Sequence, residues 1–247
     1  MKSNPQISAN KLIEYCFARS TRRTAIIEDI IKPKSFLLDT RYNEIERAMS
    51  YYIESRGQDE TKLSKLDEIL LSRKPATSHD EQRLLTAHDA IELCRTMSLK
   101  ELPDSEKISE GSHSLPKLLL FGVSVSITPT NIIRMRQEGK KGSILGLIKP
   151  YLGKSQPLST GTASLHGALL HWYVEENLQS SGEARPDLCF IIDIFEQKIF
   201  SAPSHYSQRR KLLAASCQEI ADRWNSIRSR LMDKEAGSKE RKRPGGK

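Results

Sequence analysis

A lysine inside an apolar run is the residue whose setting most suggests chemistry. Lys149 closes the stretch Ile144-Leu-Gly-Leu-Ile-Lys149. A lysine so placed either marks an anion site or snorkels from a sheet edge, with its stem on apolar surface and its ammonium in water. Lys154 and the Lys140-Lys141 pair are close in sequence and would add positive charge suited to contacting phosphate without cleaving it. Arg19, Arg22 and Arg23 form a second basic group; Arg209, Arg210, Lys211, Arg223, Arg228 and Arg230 form a third. The candidate nucleic-acid contacts are Lys149, Lys154, Arg209, Arg210, Arg22 and Arg23, with Tyr206 and Tyr42 as stacking partners. A solvated helix face carries the same pattern of charge, so the bland reading stands beside this one.

Other reactive residue types are present without the spacing that chemistry needs. Cys16, Cys94, Cys189 and Cys217 make no CxxC pair, which leaves structural thiols as the expectation rather than a zinc ribbon or redox pair. The six histidines show no HExxH spacing, and His166 and His171 are five positions apart, poor for one helical face. No GxSxG elbow provides a nucleophile, and no GxGxxG or GxxxxGK[ST] loop cradles a nucleotide. No metal site is read from these residues.

The net charge is +8, which points towards an acidic partner such as nucleic acid, but half of it lies in the last fourteen residues, where six Lys or Arg accompany two Glu. That Gly- and Pro-containing end, 233–247, reads as a basic disordered tail. No run approaches the roughly 18 apolar residues of a membrane span, and the start has no apolar core of a secretory signal. The expectation is a cytoplasmic protein with no membrane partner.

The elements that must position these residues fall into two regimes. Over 1–98 the spacing predicts consecutive helices without strands. Ser8 caps the first, Ile26, Ile27, Ile30 and Ile31 stripe the second, and Asp39 or Thr40 caps a third bearing Ile45, Met49, Tyr52 and Ile53. Asp59 caps a fourth bearing Leu63, Leu66 and Leu70, and Leu84, His88, Ile91 and Cys94 mark a fifth. Residues 99–116, with Pro, Ser, Gly and acids, read as a linker. Over 117–232 the period changes. Val123 to Ile127 alternates as a strand, which Asn131 to Arg136 extends past Pro129; Ser143 to Tyr151 follows as a second, apolar enough to be central. A helix capped by Ser159 or Thr160 carries Leu165, Leu169 and Trp172, then Cys189 to Phe195 and Lys198 to Phe200 form a hairpin. Leu213, Cys217, Ile220, Trp224, Ile227 and Leu231 alternate steps of four and three along a last helix. The fold class is α/β, a helical N-terminal region followed by a small mixed sheet flanked by helices.

This order, with helices in front, resembles the RecB-like branch of the PD-(D/E)XK nuclease family, over Leu118 to about Met232. Ser8, Leu12, Tyr15 and Cys16 look like that family's N-terminal Ser/Leu/Tyr/Cys helix. In the family a Pro-Asp pair and an acid-x-Lys triplet on the next strand hold Mg²⁺ and activate water. The corresponding positions here are Pro129-Thr130 and Leu147-Ile148-Lys149: Pro and Lys match and both acids are replaced. The resemblance therefore implies a nuclease-like core with a degenerate site and no cofactor. The function it implies is a non-catalytic nucleic-acid-binding or complex-forming accessory protein, in the setting of bacterial DNA processing or defence. Two alternatives remain. Asp193, or Glu175 with Glu176, would rebuild an Mg²⁺-dependent nuclease if brought to Lys149; otherwise the chain is a protein-interaction module that binds no nucleic acid.

Overall fold

A computed structural model describes residues 2–32, 40–104, 107–110, 116–128, 131–136 and 142–240. The fold is mixed α/β, with seven α-helices and two sheets among the described residues. In chain order the elements are β1 (Gln6–Ser8), α1 (Ala9–Phe17), α2 (Ser20–Ile31), α3 (Thr40–Glu54), α4 (Thr61–Ser72), α5 (Ser78–Thr96), β2 (Lys107–Glu110), β3 (Leu118–Leu120) and β4 (Val123–Ser126). There follow β5 (Asn131–Arg136), β6 (Ser143–Tyr151), α6 (Thr160–Asn177), β7 (Glu183–Ala184), β8 (Phe190–Asp193), β9 (Lys198–Ser201) and α7 (Tyr206–Glu240). Contacts divide the chain into two compact units, one from Met1–Phe36, Lys117–Ser126 and Lys211–Lys247, the other from Leu37–Pro116 and Ile127–Arg210.

The first unit holds a three-stranded sheet in the order β1-β4-β3, with β1 parallel and β3 antiparallel to β4. Ser8 caps α1 by accepting from the Lys11 amide at 3.4 Å. The four-three stripe of α7 is buried here through Leu213, Cys217, Ile220, Trp224 and Ile227. Each of these removes apolar area from water at about 25 cal/mol per Å². The indole Nε1 of Trp224 donates to the Ser3 carbonyl at 3.2 Å, so the one polar atom of a fully buried ring is satisfied.

In the second unit a larger sheet runs β2-β5-β6-β8-β9, with β7 pairing beside β6. Strand β5 is antiparallel to both of its neighbours, β2 and β6; β8 lies parallel to β6 after the helical crossover α6, and β9 returns antiparallel. Helices α3, α4 and α5 share one core with Ile133, Ile148, Phe190 and Ile192 of the strands. Ile191, between the last two, instead packs with Leu158 and Ala163 at the start of α6, as the alternation of a strand requires. The sheet is thus covered by helices on both faces, which suits the unbroken apolar run 144–148 of β6. Gly146 on β6 permits close packing, because a Cβ there would fall 1.9 Å from the Leu188 carbonyl oxygen.

Four local expectations change. Strand β1 lies in the region read as purely helical; its three residues are too few to show alternation. Asn131–Arg136 does not extend β4 but forms β5 in the other sheet, consistent with an intervening proline that has no N–H to continue a ladder. The stretch read as a linker over 99–116 contains β2, paired to β5 in register Ile108 to Ile133. The tail read from 233 is helical as far as Glu240, since Lys, Glu and Ala sustain a helix and one glycine does not end it. Residues 241–247 lie outside the described residues, as do Pro129, Thr130, Lys140 and Lys141. Among the described residues no helix is long and apolar enough to cross a membrane.

Candidate functional site

Lys149 sits on β6, flanked by β5 on one side and β8 on the other. Snorkelling from a sheet edge is therefore not its role. Its Nζ donates to Glu46 Oε1 at 3.2 Å and to the Thr128 carbonyl at 3.3 Å, with the lysine side chain 7% and the glutamate 15% exposed. Glu46 comes from α3, where it follows Ile45 at the margin of the buried stripe Ile45, Met49, Tyr52 and Ile53. An acid on the margin of an apolar stripe was the available signal for it. One helical turn on, the Ser50 carbonyl accepts from Asn131 Nδ2 at 3.0 Å, tying α3 to β5 as Lys149 ties it to β6. Asn131 is fully buried, and its Oδ1 has no hydrogen-bond partner among the described residues. His166 of α6 is held neutral by burial first and by the Lys149 charge second, its pKa pushed down to about 3.

Magnesium needs several oxygen ligands in near-octahedral array. Among the described residues the carboxylate paired with Lys149 is Glu46, already neutralised by the ammonium, while Leu147, which the resemblance would set in place of an acid, is fully buried hydrocarbon. They do not fit the ion. Thr130 lies outside the described residues.

Neither alternative acid is bonded to Lys149. Asp193 is buried, and its Oδ2 accepts the Leu158 amide at 2.8 Å while Oδ1 accepts the Glu196 amide at 3.2 Å. It closes the β8–β9 turn and secures the approach to α6, and its register partner is Tyr151, two residues past Lys149. Glu175 pairs with Arg210 and lies 3.6 Å from His171 Nε2. Glu176 is exposed.

The candidate phosphate contacts are mostly engaged within the fold. Lys154 pairs with Asp89 at 2.7 Å and stands over the Phe195 ring. Arg210 binds Glu175, donates to His171 Nδ1 at 2.8 Å, and stacks on Tyr206 and Trp172 at 4.6 and 5.2 Å. Tyr206 also meets the His171 ring edge-on at 4.4 Å, so it is packed rather than offered for base stacking. The Tyr42 side chain is outside the described residues. In the other unit, Arg22 bonds Glu14 at 2.8 Å. Arg23 reaches Glu219 at 2.7 Å and the Tyr15, Cys16 and Ala18 carbonyls, satisfying the end of α1. Arg209 alone of the six is exposed with no hydrogen bond or ion pair among the described residues. Which of many basic residues meets an acid from a distant element has no local signature, so the sequence showed the charges and not their partners.

His171 has a pKa lowered by burial above all, with Glu175 opposing and Arg210 reinforcing. Because its Nδ1 accepts from Arg210, it is the neutral tautomer carrying its proton on Nε2. All four cysteines are free and buried, and burial pushes Cys94, Cys189 and Cys217 up to about 12, which makes them poor nucleophiles.

No family model and no curated protein matches this chain.

A further cluster, which the sequence reading missed, joins α4 to α5. His88 Nδ1 is 2.7 Å from Asp67 Oδ1, and the ligand atoms of Asp67, His88 and Glu92 all lie within 4.8 Å of one another. Its signals were present: Asp67 is an acid in register with Leu63 and Leu70, and His88 and Glu92 are spaced i, i+4 on one helical face.

Proposed function

We propose that this chain is a non-catalytic, complex-forming protein built on a nuclease-like core, with Lys149 kept as a structural tie. The carrying observation is the Lys149–Glu46 pair: the lysine that would orient water in an active nuclease is buried and spent on an acid from α3. Further support comes from the order of elements, in which β5 and β6 precede the helix α6 and β8 and β9 precede α7. That is the strands-helix-strands-helix order of the resemblance, and bacterial DNA processing or defence is the setting it suggests.

Complex formation is favoured over nucleic-acid binding because five of the six candidate phosphate contacts already meet a carboxylate. An exposed ion pair loses much of its pull on a polyanion, since each phosphate contact must first displace a neighbour. The second reading, nucleic-acid binding, is favoured by exposed Arg209 and by the excess of charge towards the C-terminal end. Fluorescence anisotropy with labelled single- and double-stranded DNA and RNA across a salt series separates the two. Complex formation without nucleic acid gives no retention at about 0.15 M salt, where surface attraction is screened beyond roughly 8 Å. Binding with a steep salt slope, weakened by Arg209→Ala, transfers the function to the second reading.

A further inference from the structure

We propose that Asp67, His88 and Glu92 bind one divalent transition ion of the zinc class, clipping α4 to α5. Three features of the cluster carry this. The first is donor chemistry: an imidazole nitrogen with two carboxylates suits zinc and its neighbours, whereas magnesium and calcium take oxygen alone. Three protein ligands leave a position for water.

The second is placement. The two helices are fixed against each other by the core that includes Leu63, Leu66, Leu70, Ala87, Ile91 and Cys94, so the ligands are held near one another before any ion arrives. Asp67 is largely buried while His88 and Glu92 are progressively more exposed, which gives an anchored inner ligand and an open outer side. The three ligand atoms already lie within 4.8 Å of one another.

The third is unbalanced charge. Arg95 is the cation that faces the cluster: its Nη1 contacts Glu92 and lies 3.6 Å from Asp67 Oδ2, and its Nε lies 3.7 Å from Glu60. Three carboxylates thus surround one guanidinium. That guanidinium is imperfectly seated, because its Nε is buried with no hydrogen-bond partner among the described residues. Its Nη2 also holds Ser64 Oγ at 3.2 Å, so Arg95 keeps Glu60 and Ser64 as partners when it yields Asp67 and Glu92 to an ion.

The test is calorimetric titration of the full chain, stripped with a chelator, with zinc chloride. One equivalent is expected to bind saturably, with affinity lowered about 10-fold or more by His88→Ala and by Glu92→Gln, a range typical of lost support at metal sites. Arg95→Met is expected to tighten binding by removing the competing charge. Zinc is also expected to raise the thermal midpoint of the wild type and leave that of His88→Ala unmoved. Because Glu92 is exposed, its Gln variant decides the matter even if His88→Ala does not fold. Absence of a saturable single equivalent, or uptake that both ligand variants leave unchanged, overturns the proposal.

Discussion

Glu46 Oε1 receives a hydrogen bond from Lys149 Nζ at 3.2 Å across 103 residues of sequence, joining α3 to a central strand inside the second unit. Removing one partner of such a pair strands the other charge where water reaches poorly. Lys149→Met is expected to destabilise the fold by about 2–4 kcal/mol, set below the 3–5 kcal/mol of fully buried pairs because Glu46 keeps some exposure. Adding Glu46→Leu to it is expected to recover part of that loss. Urea unfolding of the two single variants and the double variant measures the coupling, and a Lys149→Met chain as stable as wild type contradicts the structural role.

Asp193 accepts two backbone amides from within the core, and this rather than catalysis accounts for an acid on β8. Asp193→Ala leaves both donors without their acceptor and is expected to cost about 2–4 kcal/mol, whereas Asp193→Asn, which keeps one acceptor oxygen, costs less. Equal losses for Ala and Asn, read from urea midpoints at constant slope, would count against two amide bonds.

Acid should weaken the fold through two histidines. His166 and His171 both have pKa values below the 6.5 of a free histidine, so the native state binds fewer protons than the unfolded chain as pH falls. Their contribution is complete above pH 6.5 and is lost on acidification, for His166 down to about 3. Each histidine adds a slope of up to about 1.4 kcal/mol per pH unit inside its window. Stability measured at pH 7, 6 and 5 is expected to fall, and His166→Gln is expected to reduce the slope. A flat profile between pH 7 and 5 contradicts the burial of both rings.

Much of the architecture was legible because it is periodic. Ser143 to Tyr151 was read as an apolar strand and is β6, and the four-three stripe from Leu213 is the buried face of α7. What escaped was set by tertiary pairing. Strand β1 is too short to alternate, and β4 and β5 look continuous in sequence although their hydrogen bonds go to different sheets. At the candidate site, Lys149 was recognised by its apolar surroundings, but nothing near it in the chain announces Glu46. The same holds for Arg210, which stood out as a surface cation and is instead packed between Trp172 and Tyr206 with Glu175 and His171. Sequence shows that a charge exists; only the fold shows what neutralises it.

The most direct test of the central claim is a cleavage assay. The purified 247-residue chain is incubated with single- and double-stranded DNA and RNA in Mg²⁺ or Mn²⁺, beside Lys149→Ala and Glu46→Gln. No cleavage by the wild type above that of either variant is expected. Metal-dependent cleavage by the wild type that either substitution abolishes would contradict it, and would make Lys149 and Glu46 parts of a working site.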